Sequence, residues 1–530
     1  MQIYYPSKEE FLKLTETKKG NVIPVYREIL ADLETPVSAY FKIAEGAKYS
    51  FLLESVEGEE KVARFSFLAR DPELVFRCKN NRVEIIHFID VNPSQKTNVN
   101  TDYNTASGKE KVSKNGNETR ESHDVRDTPL TFIRELMGKF RLITIEGLPR
   151  FCGGLIGYMG YDVVRFFEKL PAKPSDDLNL PDMLLILAKN LIIFDHRVHK
   201  MKLVSCVEFD PSSSVEEKKK QYDRGIEAID RLEEELNRPL NRSSFSGEVT
   251  KELEVQSNVS QAEFLNMVKA AKKKIKAGDI IQVVLSQRFQ MPVETNPFNI
   301  YRTLRTLNPS PYMYFLNFDG LQIIGSSPEL LVRCEDGVVE TRPIAGTRRR
   351  GKNEKEDQLL QKDLLNDPKE KAEHVMLVDL GRNDLGRVCQ KGSVQISEFM
   401  GIEKYSHVMH IVSNVKGRLQ KGKDSCDVLQ AAFPAGTVSG APKIRAMEII
   451  DELENVSRGP YAGAIGYFSF SGNLDSCITI RTIVVTKGKA YIQAGAGIVA
   501  DSVPQKEYAE TINKAKAQIM AIKLAHHQAM

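Results

Sequence analysis

The chain has 530 residues, with 74 Lys and Arg against 71 Asp and Glu, 24 Phe and 17 Tyr, and no tryptophan. At roughly 150 residues per domain this is enough chain for about two to four domains, which excludes a small stapled scaffold. A net charge of +3 gives no support to nucleic-acid binding by phosphate neutralisation, and the apolar run around Leu184 to Leu187 falls far short of the ~18 residues of a membrane-spanning helix.

From the N-terminus, MQIYYPSKEE lacks the charged-then-apolar order of a secretory signal. Seven dispersed cysteines without C-x-x-C spacing read as reduced thiols of a cytoplasmic protein. ELVFRC-KNN-RVEIIHF predicts a hairpin turning at Asn80 and Asn81. From Asn92 to Asp124 the chain is rich in Asn, Ser, Thr and Lys and too poor in apolar groups to offset ordering entropy, so a disordered or surface insertion is expected there. A second hairpin is predicted in LIIF-DHR-VHKMKLVSCV around Asp195. Tyr222, Ile226, Ile229, Leu232 and Leu236 recur at helical spacing, and the polar stretch from Asn237 to Gly247 that follows reads as a boundary between residues 1–247 and residues 248–530. Ser260 and Glu263 form a capping box for a helix that stops at Gly278. Towards the C-terminus GAIGYFSF, CITIRTIVV and KAYIQAGAGIV read as strands joined by turns at Ser471–Asn473 and Lys487–Gly488. Antiparallel strands mixed with helices imply an α+β fold.

Several constellations could carry chemistry. Asp367 and Pro368 open a helix that places Glu370 and Glu373 on one face, and DSVPQKEYAET places Glu507 and Glu510 at the same spacing. Two such helices could make the all-oxygen environment that Mg²⁺ prefers, although Glu370 could simply complete a capping box. The loop FPAGTVSGAPK, with Gly436, Thr437, Ser439 and Gly440, leaves backbone N–H groups for an anion; it is not a phosphate loop, because Ala441 and Pro442 stand where glycine and lysine are needed. Gly495, Gly497 and Ala500 match a dinucleotide fingerprint, but Pro504 and the nearby chain end contradict that context, which leaves close backbone approach to a ligand or a neighbouring strand. Arg481, between Ile480 and Thr482, reads as a strand residue able to clamp a carboxylate. The runs Lys272–Lys274 and Arg348–Arg350 read as solvated faces. His196 with His199 and His407 with His410 lack nearby cysteines and do not suggest zinc.

Together DIIQVVLSQRF, IIGSSPELLVR, TRPIAGTRRRG, KAEHVMLVDLGRNDLGRV, HVMHIVSNVKG, AAFPAGTVSGAPK, GPYAGAIGYFS, CITIRT, QAGAGIV and DSVPQKEYAET resemble the chorismate-utilising enzymes, from Ser260 to the C-terminus. The resemblance implies stacked antiparallel β-sheets flanked by helices, a catalytic domain at 248–530, and Mg²⁺ bridging protein carboxylates and the ring carboxylate of chorismate. Members that add water carry a lysine where this chain has Gln282, and aminodeoxychorismate synthases carry a nucleophilic lysine where it has Ala345. Neither residue can activate a nucleophile, which fits ammonia and the anthranilate-forming branch; aminodeoxychorismate formation, or a non-catalytic tryptophan-sensing subunit, are the alternatives.

By resemblance Glu373 and Glu510 hold the metal, with Glu370 and Glu507 completing its shell. Tyr461, Arg481, Gly495 and Gly497 bind the enolpyruvyl carboxylate, and Gly346, Thr347 and Thr437 fix the ring, with Gln282 at the substrate. Glu329 is the general acid and His410 serves pyruvate loss, while His374 is structural. The N-terminal region, residues 1–247, is regulatory: Glu54, Ser55, Arg64, Pro311, Tyr312 and Met313 are the expected pocket for tryptophan as feedback inhibitor. Cys152 lacks the context of a glutaminase nucleophile, so ammonia is expected from a separate glutamine amidotransferase subunit, in a hetero-oligomer.

Overall fold

A computed structural model describes residues 3–17, 19–55, 64–88, 113–115, 118–171, 174–240, 253–405 and 408–527. Two large antiparallel sheets face one another. The first runs, neighbour to neighbour, through Val22–Leu30, Lys200–Glu208, Asn190–Asp195, Phe65–Arg70, Tyr49–Glu54, Tyr312–Phe318, Leu321–Ser327, Thr482–Thr486, Lys489–Ile498 and Gln282–Pro292. The second runs through Ile344–Arg349, Val408–Arg418, Val338–Thr341, Leu330–Glu335, Leu474–Ile478, Ala464–Ser469, Gly154–Met159, Met183–Ala188, Leu74–Lys79, Arg82–Phe88 and Glu118–Asp124. Residues on both sides of 247 therefore build contiguous halves of both sheets. The halves join at Glu54 opposite Met313 in the first sheet and at Gly157 opposite Gly466 in the second. On its other side Gly157 faces the strand Met183–Ala188, where an added Cβ would lie 2.0 Å from the Leu184 carbonyl oxygen, so only glycine permits that approach.

Apolar side chains decide the layering. Met183–Ala188 is buried at every position and reads as a continuous apolar run, as a strand covered on both faces should. Phe51, Leu155, Tyr158, Tyr314, Leu316, Val332 and Ile465 belong to one core between the sheets. The other face of the first sheet packs on the helices Val215–Leu236, Pro297–Leu307 and Pro504–His527. The Ser260–Glu263 capping box and the Gly278 stop, where φ is +85°, form as the sequence predicts. No helix among the described residues is long and apolar enough to cross a membrane.

Three expectations need correction. The polar stretch 92–124 ends in sheet, because Glu118–Asp124 pairs along Arg82–Phe88, while 92–112 lies outside the described residues. CITIRTIVV is two strands in different sheets, Leu474–Ile478 and Thr482–Thr486, with Arg481 between them at φ +53°. Arg348 and Arg350 are not simply solvated: Arg348 bonds Asp363, Asp367 and Glu370, and Arg350 bonds Asp357 and the Tyr405 carbonyl.

Phe51 is fully buried between the sheets. Phe51→Ala should cost about 3–5 kcal/mol in urea unfolding; a loss below ~1 kcal/mol would contradict a core centred on this ring.

Candidate functional site

The site forms where the chain changes sheets. Leu321–Ser327 belongs to the first sheet and Leu330–Glu335 to the second, so Glu329 stands in a crossing; the return crossing, from Ile478 to Thr482, carries Arg481. The crossings are bonded to each other. Ser327 Oγ donates to the Ile478 carbonyl at 2.7 Å, the Ile478 N–H donates to the Glu329 carbonyl at 3.0 Å, and the Ser326 N–H donates to the Arg481 carbonyl at 3.2 Å. Both side chains are thereby fixed between the sheets.

Burial raises the Glu329 carboxyl to about 8, and the Thr437 hydroxyl and Lys514 ammonium pull it back only partly. Glu329 is therefore largely protonated at neutral pH. Thr437 Oγ1 is buried and, beyond its weak pull on Glu329, makes no hydrogen bond of good geometry, so it retains capacity for a guest.

Burial also lowers the Arg481 guanidinium, which Tyr461 and Glu510 partly offset. One of its N–H groups donates to the Lys514 carbonyl. Tyr461, its hydroxyl raised to about 12 by burial, reaches the strand that carries Gly495: a Cβ there would lie 2.7 Å from the Tyr461 Oη. A Cβ on Gly497 would meet the Gln282 amide nitrogen at 2.6 Å, and Gln282 Oε1 is itself buried without a partner. Arg481, Tyr461, Gly495, Gly497 and Gln282 thus line one region, rimmed by a cavity of about 380 Å³ that Arg481, Glu510 and Lys514 border.

At the end of the second sheet a bulge between Ala345 and Thr347 turns the Gly346 carbonyl, φ +65°, towards His410. His410 Nδ1 lies 2.8 Å from that oxygen and 3.1 Å from Thr347 Oγ1. A carbonyl only accepts, so Nδ1 carries the proton, and burial keeps the ring below its ordinary pKa. His410 is a neutral imidazole with Nε2 as its base.

The four carboxylates on the two helices converge. Glu373 is raised by burial and by Glu370, Glu510 and Glu507; Glu507 is raised by burial and by Glu510. Mutually repelling oxygen ligands suit a hard divalent cation. Among the described residues they do not close into a ready cluster of three ligands, because Glu370 is bonded to Arg348 and Glu510 to Lys514 at 2.6 Å. Asp367 caps the helix through the Lys369 and Glu370 N–H groups, so the Glu370 carboxylate turns to Arg348 and does not complete a capping box. His374, one residue beyond Glu373, is held by Ser413 at 2.6 Å and pushed down to about 4 by burial.

Lys514 is the site residue that motif reading misses. Its ammonium donates to the Gly495 carbonyl at 3.0 Å, pairs with Glu510 and acts on Glu329. The available signal was its position one helical turn after Glu510.

The six residues of the expected inhibitor pocket gather where the two halves of the first sheet join. Glu54 is buried and accepts from Tyr301 and Arg305, Ser55 Oγ is buried without a partner, and Met313 pairs with Glu54 and is fully in the core. Pro311 precedes Tyr312, whose hydroxyl donates to Asp475 at 2.9 Å and accepts from Arg333 at 3.0 Å. Arg64, just before the strand Phe65–Arg70, grips Asp195 through two N–H groups. A separate groove of about 590 Å³ is lined by their partners Asp195 and Arg305 and by His196.

The sequence pattern of the chorismate binding enzymes matches residues 92–520. Anthranilate synthase component 1 of Acetivibrio thermocellus is 48% identical over 99% of both chains, and that of Aquifex aeolicus is 48% identical over 98% of both. The crystal structure of anthranilate synthase component I from Streptococcus pneumoniae superposes with a TM-score of 0.72, at 37% identity, over 92% of this chain and 98% of that one. The menaquinone-specific isochorismate synthase of Escherichia coli, at 19% identity, shares the fold with a TM-score of 0.64, over 97% of this chain and 98% of that one. The chain belongs to the chorismate binding enzymes and, within them, to the anthranilate synthase component 1 family.

A carboxyl raised on folding contributes stability that is full below its unfolded pKa and is lost as pH rises through the folded value. Between pH 5 and 8 Glu329 therefore drains roughly 3 kcal/mol. Glu329→Gln should gain stability over the parent by an amount that grows across that interval; a pH-independent difference in urea midpoints would refute the raised carboxyl.

Proposed function

We propose that the chain is the large subunit of an anthranilate synthase, converting chorismate and ammonia to anthranilate and pyruvate in the cytoplasm at the entry to tryptophan synthesis. The observation that carries this reading is Glu329, a carboxyl kept protonated by burial, in a site where Gln282 and Ala345 offer no base or nucleophile of their own. An acid with no partner base suits attack by a nucleophile that needs none.

Arg481 and Tyr461 hold the enolpyruvyl carboxylate, with the backbone near Gly495 and Gly497 approaching closely and Lys514 adding positive charge. Gly346, Thr347 and Thr437 set the ring. Glu373, Glu510, Glu507 and Glu370 would hold Mg²⁺, which when bound offsets the charge of the ring carboxylate. In the first stage ammonia forms the C2–N bond while Glu329 protonates the C4 hydroxyl, which leaves as water. In the second stage His410 Nε2 takes the C2 proton as the C3–O bond to the enolpyruvyl group breaks, and the departing enolpyruvate takes up a proton at its methylene carbon to become pyruvate while His410 returns its own to solvent. Ammonia comes from a separate glutaminase subunit. Tryptophan, bound at Glu54, Ser55, Arg64, Pro311, Tyr312 and Met313, feeds back on the site, with residues 1–247 regulatory and residues 248–530 catalytic.

Incubation with chorismate, Mg²⁺ and ammonium should yield anthranilate, and any other aromatic product would overturn the assignment. Glu329→Gln should lower kcat at least ~10²-fold with chorismate binding retained; near-parental turnover would remove it as the acid. For feedback, the chain has no tryptophan of its own, so bound tryptophan reports by its own emission. Ser55→Phe should abolish both that signal and the inhibition, and a variant as sensitive as the parent would place the inhibitor elsewhere.

A further inference from the structure

Glu329 and Thr437 border a second, small cavity of about 40 Å³, walled also by Arg342, Leu380, Gly381 and Asp384. Two of its polar groups have capacity to spare: Arg342 Nε is buried with no hydrogen-bond partner, although the guanidinium is otherwise paired with Glu403, and Thr437 Oγ1 makes no hydrogen bond of good geometry beyond its weak pull on Glu329. A water needs about 10–15 Å³ of such space and two to four polar partners. Here the Arg342 N–H can donate, the Glu329 and Asp384 carboxyls can accept, and Thr437 can do either.

Asp384 connects this space to the outside. Both its oxygens accept from the Lys443 ammonium at 3.0 Å, and its side chain keeps 13% of its surface exposed. Burial raises its carboxyl, while Lys443 and then Arg387 pull it down. The charged and titratable groups facing the relay are Lys514 beside Glu329, Arg342 with Glu403, and Lys443 with Arg387 at Asp384.

We propose that this cavity holds water through which Glu329 recovers its proton, with Asp384 as the positioning residue that links it to solvent. The proposal rests on Glu329 as the acid of the amination. Glu329 gives its proton to the C4 hydroxyl, which leaves as water while the C2–N bond forms. Asp384 takes a proton from solvent and passes it to the cavity water as that water protonates the Glu329 carboxylate, which returns Asp384 to the carboxylate that Lys443 holds. The ammonium formed on C2 sheds its extra proton to solvent, so none is consumed overall. The substrate side of Glu329 thus need not open between turnovers.

Three variants separate the readings in ammonium-dependent anthranilate formation at saturating chorismate. Gly381→Leu would fill the cavity from its helix wall; the first added carbon lies 3.0 Å from Thr341 Cγ2, which must give by a few tenths of an ångström, and 3.6 Å from Pro343 Cγ. Asp384→Asn removes the proton carrier at nearly constant shape. Each should lower kcat about ten-fold with the chorismate KM within two-fold, and each should enlarge the solvent deuterium effect on kcat, which a merely structural role would not move. Either folded variant with parental kcat and isotope effect would overturn the relay. A high-resolution crystal structure of the parent should show ordered water between Glu329 and Asp384, and an empty cavity would overturn it even if both variants failed to fold. Glu329→Gln tests the underlying reading: an active variant sinks the acid role itself, whereas an inactive one beside two parental relay variants sinks the relay alone.

Discussion

The site depends on one constraint: the chain changes sheets twice, and the two crossings are hydrogen-bonded to each other. Glu329 and Arg481 stand in these crossings because a residue between two sheets has no ladder partner and can turn its side chain into the space they enclose. The Ser327, Ile478 and Ser326 bonds make the crossings one rigid unit. Arg481 takes a left-handed conformation there, φ +53°, which a non-glycine residue adopts only where its surroundings enforce it. Glu329 and Arg481 are therefore placed by the same backbone feature.

A buried cation ties the remaining pieces to that unit. Arg458 is almost wholly out of water and spends its donors on Glu454, the Val438 carbonyl at 2.7 Å and the Val284 carbonyl at 2.8 Å. Its guanidinium also lies over the rings of Tyr161 and Tyr461. Glu454 in turn accepts from the N–H and hydroxyl of Ser286. Burying this pair costs several kcal/mol of hydration per ion, recovered only when every donor is met in good geometry. Such a pair tolerates one arrangement, and that arrangement fixes the Thr437 loop, the Gln282–Pro292 strand and Tyr461 relative to each other.

What the sequence reveals and hides follows from how far each signal reaches. Helix starts, hairpins and the i, i+3 carboxylates were legible because they are local: Ser260 with Glu263, Asn80 with Asn81, Glu370 with Glu373 and Glu507 with Glu510. That the two Glu helices meet was not, since spacing within one helix says nothing of a partner more than 130 residues away. CITIRTIVV misleads because alternation continues unbroken across a change of sheet, and only the backbone at Arg481 betrays it. Glu118–Asp124 misleads for the opposite reason: lying near a sheet edge with mostly half-buried side chains, a polar ETRESHD can pair without an apolar face. Lys514 carried no motif, and its role arises only when its helix meets the Gly495 strand.

The site gives one functional group several different surroundings. Glu329, with Thr437 and Lys514 as its modest compensation, is cut off from water and stays protonated; burial dominates there. Glu370 and Glu510 are each met by a cation, Arg348 and Lys514. Glu373, half-buried, and Glu507, buried, have other carboxylates as neighbours, and both are raised. Lys514 joins the two regimes, bonded to Glu510 on one side and acting on Glu329 on the other. The surroundings of Glu329 and those of Glu510 are thus coupled through a single side chain, which also holds the Gly495 carbonyl.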